Sequence, residues 1–326
     1  MLFRSVLSQR VGAQLGEIRA RVKTNAPPEM RPISMPETEW QSRAMAHRAR
    51  VAPQAEAFVQ RRACGGKHPV WDFLFTYYSF SPAKLMTWVP AVSECGMSNA
   101  ECRTKQEESA DAPFDIRHSA FGIYEAPPMP ARIRHEASWI ARLCANVMSK
   151  PPRLTCHGLH EWAMVYRQSA DQVRHSGYEL RLPPDELAAF VESQSICCTH
   201  HDAYRFFTEA ARPLNTLKPR LETRQEMEQS GCLHANMDLY KWAYKLWPWI
   251  GSDIVADAFE VAVAAREFDM RASPYDLAVL GFAPIKIETE EGREEYRREQ
   301  LRIMELARPV RERLRNECVA LLEILH

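Results

Sequence analysis

Histidine serves both as a metal ligand and as a proton carrier near neutral pH, and in this sequence it is concentrated in three short segments from Cys156 onward. In Cys156-His-Gly-Leu-His-Glu-Trp-Ala-Met-Val-Tyr, the residues His157, His160 and Glu161 are spaced so that a helix would carry two imidazoles and a carboxylate on one side. Such a group could hold a metal. The other reading is that Gly158 starts a helix and the histidines cap it or bond locally. The order is not His-Glu-x-x-His, so no zinc-protease reaction follows from it.

The second segment, Cys198-Thr-His-His-Asp-Ala-Tyr-Arg-Phe-Phe, holds His200, His201, Asp202 and Arg205. Asp202 and Arg205 are three apart and can pair on a helix facing solvent. In a pocket, the same carboxylate could fix the tautomer of a histidine acting as a base. In the third, Gly231-Cys-Leu-His-Ala-Asn-Met-Asp-Leu-Tyr-Lys-Trp, the side chains of His234, Asp238 and Lys241 form one helical stripe, with Leu239, Trp242 and Leu246 on another face. A surface helix has the same pattern. Arg271 and Asp276 add charge near a loop in which Pro274 is expected to open the next helix. Helical metal centres draw their ligands from facing helices, and three histidine-plus-carboxylate helices meet that requirement. The candidate ligands of a transition metal are therefore His157, His160, Glu161, His200 and His234, with Asp202 and Asp238 as ligands or as partners of ligands.

The elements that must position these residues read as helices: periodic apolar patterns cover 37–63, 132–149, 233–247, 253–268 and 291–324. Pro183-Pro-Asp-Glu-Leu marks another helix start, with acids in its first turn. In the last helix Leu301, Met304, Leu314, Cys318, Leu321 and Leu325 are the positions expected to pack on the body. Segment 91–131, with Ala126-Pro-Pro-Met-Pro, reads as a long loop or insertion and as a partner surface. The expected fold is mainly α: one compact multi-helix domain over 37–326, with that insertion and an extension at 1–36. Residues 1–28 carry five basic residues against the single acid Glu17, and Leu2, Val6, Leu15, Ile18 and Val22 can share an apolar face. An organelle presequence has this character, and so does a docking surface helix. Import would place the protein in an organelle, the mitochondrial matrix ahead of a plastid; otherwise it is cytoplasmic.

Composition sets outer limits. With 326 residues, 46% of them hydrophobic, the chain can bury a substantial core. Lys+Arg and Asp+Glu both total 42, so net charge gives no preference for polyanions. Nine scattered cysteines without a CxxC pair suggest reduced thiols rather than a structural zinc site. No run reaches the roughly 20 apolar residues needed to span a bilayer.

From about Glu39 onward the chain resembles a little-characterised bacterial-type family commonly labelled 3-methyladenine DNA glycosylase. The resemblance rests on the three segments above together with His68-Pro-Val-Trp-Asp-Phe-Leu-Phe-Thr-Tyr-Tyr and Asp269-Met-Arg-Ala-Ser-Pro-Tyr-Asp-Leu. It implies that His68, Asp72, Arg205, Lys241 and Arg271 occupy substrate-binding positions, beside catalytic candidates His157, His160, Glu161, His200, Asp202, His234 and Asp238. The chain departs from the family pattern at Trp88-Val-Pro-Ala, where Trp-His-Pro-Gly is usual, and at His201, which replaces an aromatic residue. The label implies hydrolysis of an N-glycosidic bond in DNA with Asp202 or Asp238 as the carboxylate. The Gly-rich hairpin with which helical glycosylases grip phosphate is not found in the sequence. Two other functions are open: a helical histidine and carboxylate metalloenzyme, and a non-catalytic subunit of an organelle assembly.

Overall fold

The structure is a computed structural model that describes residues 33–94, 123–124, 127, 129–169, 171–173, 175 and 177–324. Most of the basic extension (1–32) and most of the expected insertion (95–122) lie outside these residues. The described chain is mainly helical, as the periodicity predicts. Its strands are two residues long: β1 (Ile33–Ser34) pairs antiparallel with β2 (Ile123–Tyr124).

Helix α1 (Glu37–Ala63) carries Glu37 and Glu39 in its first turn and Arg61 and Arg62 in its last, which complements the helix dipole at both ends. Two short helices follow, α2 (Phe73–Thr76) and α3 (Pro82–Met86). Helix α4 (Ala131–Met148) buries Ile133, Ala137, Ile140 and Cys144, a stripe of one helical period. Next come α5 (Leu159–Val165), α6 (Pro184–Ser193), α7 (His201–Tyr204) and α8 (Arg224–Met227). Three long helices complete the chain: α9 (Leu233–Lys245), α10 (Asp253–Arg271) and α11 (Glu290–Ile324).

Helix α9 is the axis of the molecule. It packs against α10 and α11, and α11 in turn packs against α4. Ten of its 13 residues are buried, the polar stripe of His234 and Asp238 as well as Leu239 and Trp242. The surface-helix alternative for this segment is therefore excluded by neighbours on both faces, information that periodicity in one helix does not carry.

Two details differ from the sequence expectation. Along α11 the buried stripe is Tyr296, Gln300, Ile303, Ala307, Val310, Leu314, Cys318 and Leu321, while Leu301 is 38% exposed. The helix thus lies on the body along Ile303 and Ala307, about 140° away from Leu301. Pro274 does not open an α-helix. Its carbonyl accepts from the Arg181 N–H at 2.8 Å, Tyr275 bridges Leu180, and the Asp276 N–H donates to the Glu179 carbonyl at 2.8 Å. Backbone groups committed to a neighbouring segment cannot form helical bonds, and only a 3-10 turn at Ala278–Leu280 follows. No helix among the described residues is long and apolar enough to cross a membrane.

Candidate metal centre and the charged network beside it

Local geometry explains how His160 reaches the core. His157 (φ 45°) and Gly158 (φ 71°) are both left-handed, and a Cβ on Gly158 would meet the Tyr296 ring at 3.0 Å. This tight entry turns the chain into α5, which buries Leu159, His160, Glu161, Trp162, Ala163 and Val165. The Trp162 indole N–H donates to the Ala272 carbonyl at 2.9 Å and fixes α5 against the end of α10. His160 Nε2 then lies 2.8 Å from Asp269 Oδ1, with the two side chains 3% and 0% exposed.

The third member comes from α9. A Cβ on Gly231 would meet the Arg153 carbonyl oxygen at 2.6 Å, so glycine allows the chain entering α9 to lie against the segment leading to α5. The His234 ring stands edge-on to His160 with centroids 4.3 Å apart. One ligand atom from each of His160, His234 and Asp269 lies within 4.8 Å of the other two, and all three residues are buried. Arg266 holds the far side of the carboxylate: its Nη1 is 3.2 Å from Asp269 Oδ2 and 3.1 Å from Glu161 Oε1, and its Nη2 donates to the Pro69 carbonyl. Asp269 Oδ1 is thereby left to the histidines.

The two imidazoles are electrostatically unlike. Burial opposes charge on His160, but the Asp269 carboxylate outweighs it and raises the pKa above the usual histidine value. For Asp269 burial is likewise outweighed, by His160, His234 and Arg266, and the carboxyl is held well below its usual range. Burial, reinforced by His160, pushes His234 far down, so it is neutral. The His234 ring makes no hydrogen bond to a described residue. A cavity of about 20 Å³ touches both histidines together with Cys156, Cys197, Cys198 and Cys232, which is room for one water. Burial pushes the Cys156, Cys198 and Cys232 thiols up, Cys232 to about 12, so these three are protonated near neutral pH.

On the other side of His234, stacked at 5.4 Å, lies His200. Its Nδ1 accepts from the Ala203 N–H as the cap of α7, which leaves the Nε2 hydrogen facing Glu228 Oε1 and Asp238 Oδ2, each at 3.3 Å. Tyr78 donates to Asp238 Oδ1 at 3.0 Å. Burial raises Glu228, whereas for Asp238 burial is outweighed by the bond to His200 and the charge of Lys241, and its pKa falls to about 2. Toward solvent, Asp202 Oδ2 meets both Lys241 Nζ and Arg224 Nη2 at 2.7 Å, with His201 and Arg205 at its other oxygen. Burial would raise Asp202, but Lys241 and Arg224 override it and hold the carboxyl well below its usual range.

The candidate residues are thus divided among several places. His160 and His234 meet, Glu161 is turned to Arg266, and His200, Asp202, Asp238 and Lys241 form the adjoining network. His157 stands apart, its ring 6.0 Å from Tyr296 and its pKa lowered by burial and by Arg297 and Arg293. His68 and Asp72 build a turn: Asp72 Oδ2 accepts from the His68 N–H at 2.9 Å, and His68 Nδ1 accepts from the N–H groups of Val70 and Trp71. Both line a cavity of about 450 Å³ that Arg266 borders from the interior. Arg205 lies over the Phe206 ring, and Arg271 binds the Ala283 carbonyl and Glu295. Val89, at the departure from the family pattern, is 1% exposed and packs in the core.

Sequence reasoning missed Asp269 and Arg266, and with them Glu228 and Arg224. A signal was present: each is an acid three or four residues after an arginine, and in α10 the pair is set among Ala262, Ala265, Phe268 and Met270. Charge in the middle of an apolar face has to be compensated internally. Comparison with protein-family models, curated proteins and solved structures finds no match to this chain.

Proposed function

We propose that this chain is a metal-dependent enzyme whose transition metal is held by His160, His234 and Asp269. The observation that carries the reading is the meeting of the His234 and His160 rings beside the Asp269 carboxylate, three buried residues from three helices with one ligand atom of each within 4.8 Å of the others. Two imidazoles and one carboxylate suit iron(II), zinc or a similar borderline ion and leave coordination positions open. Bound there, such an ion supplies Lewis-acid or redox chemistry. This chain's own residues supply the rest: Arg266 orients Asp269, and the small cavity beside both histidines has room for one water.

Hydrolysis of an N-glycosidic bond in DNA, which the resemblance implies, draws less support from the same geometry. Asp238 is 1% exposed and bound by Tyr78 and His200, and Asp202 is engaged by two cations. Neither carboxylate is free to meet a base flipped out of a duplex.

The test is metal analysis of the full chain purified without oxygen and reloaded separately with iron(II) and zinc. Near-stoichiometric metal is expected in the wild type and in Asp202→Asn, with loss in His234→Ala and Asp269→Asn. A wild type that retains no ion under either loading refutes the reading.

A further inference from the structure

Beyond the histidines, helices α4, α8 and α9 border an open cavity of about 430 Å³, within the range of small-molecule sites, whose lining includes Glu136, Trp139, Leu221, Arg224, Trp242 and Lys245. Its walls are aromatic and apolar. Trp139 and Trp242 lie 5.0 Å apart at 57°, and Leu221, on the same lining, is 58% exposed. Lys241 Nζ and the Arg224 guanidinium carbon sit 4.9 Å and 5.4 Å from the Trp242 ring centre.

The polar groups of these walls are incompletely used. Trp242 Nε1 is a buried donor and Glu136 Oε2 a buried acceptor, and neither has a hydrogen-bond partner among the described residues. The cations differ in commitment. Arg224 and Lys241 are bound to Asp202, whereas Lys245 makes no ion pair with a described residue. One uncommitted lysine suits a ligand with one acidic group. It is far short of the 6–10 phosphate contacts typical of a protein on duplex DNA.

We propose that this cavity binds a small planar nitrogen heteroaromatic carrying a single acidic group. The ring packs against Trp139 and Leu221, with Trp242 behind them, and the acidic group pairs with Lys245. The site is separate from the proposed metal centre and does not depend on it.

The experiment is calorimetric titration of the full chain with two probes that share this chemistry, indole-3-acetate and adenosine 5′-monophosphate, alongside inorganic phosphate and a duplex oligonucleotide. At least one heteroaromatic probe is expected to bind more tightly than phosphate. Trp139→Leu should weaken it on the order of tenfold, the size of one lost ring-stacking contact. Trp139 also packs against the core, so Leu221→Glu, at an exposed position, serves as the second variant and should weaken binding in the same direction. His234→Ala should leave it unchanged, which separates failure of this site from failure of the metal centre. Absence of binding by both probes overturns the proposal. So does phosphate binding as tight as that of the probes, which would mark a simple anion site, and so does tighter binding of the duplex, which would mark a polymer as the occupant.

Discussion

Two polar regions meet across the ring of His234, and they satisfy their charges differently. On the α7 and α8 side every carboxylate faces a cation or a hydrogen-bond donor: Asp202 has Arg224 and Lys241, Glu228 has Arg224 and His200, and Asp238 has Tyr78, His200 and Lys241. On the α5 and α10 side Asp269 is held by His160 and Arg266, but the His234 ring has no hydrogen-bond partner among the described residues and is kept neutral. Density of histidine and acid alone does not distinguish a site from a scaffold. A paired set of charges holds helices together, whereas on the metal reading proposed above an imidazole beside an anchored carboxylate is unfinished without something bound.

The sharpest way to break this contrast is to remove one partner from the paired set. Arg224→Ala should cost about 3–5 kcal/mol in denaturant unfolding, because Glu228 would keep its burial and lose its guanidinium, while Asp202 would lose one of its two cations. A loss below about 1 kcal/mol would show that the network is solvated and not structural.

Metal addition should act on the other region alone. At an ion concentration near 100 times its dissociation constant, wild type and Asp202→Asn should gain about 2.7 kcal/mol, and His234→Ala and Asp269→Asn nothing. Equal stabilisation of His234→Ala would place the ion elsewhere.

Within the unfinished region the two histidines should show opposite pH dependence without metal. His160 has a raised pKa, so its contribution is full below the unfolded value of about 6.5 and is lost as pH rises through the raised folded value. His234 has a depressed pKa, so its contribution is full above about 6.5 and is lost as pH falls through the depressed folded value. The stability gap between wild type and His160→Gln should therefore be wider near pH ~5 than near pH ~8, and that for His234→Gln the reverse. Parallel profiles would remove the distinction between the two rings.

The smallest effect expected is that of Tyr78→Phe, which deletes one of the groups facing Asp238 and should cost about 1 kcal/mol in thermal unfolding, with metal content unchanged. Loss of metal in this variant would mean that the two regions work as one.

Sequence alone determined the mainly helical class and the limits of the long helices within a few residues, because a 3.6-residue apolar period and Pro or Gly boundaries are local properties. It also singled out His160 and His234, since imidazoles near acids in three helices are visible without coordinates. Tertiary structure decided the remainder. The turn at His157 and Gly158 sends His160 inward and leaves His157 against Tyr296; α9, equally legible as a surface helix, became the buried axis; and Asp269, 35 residues beyond His234 in the chain, became the third member of the centre. Which acid meets which histidine depends on how helices cross. Contacts between distant segments, rather than spacing within any one of them, set that crossing.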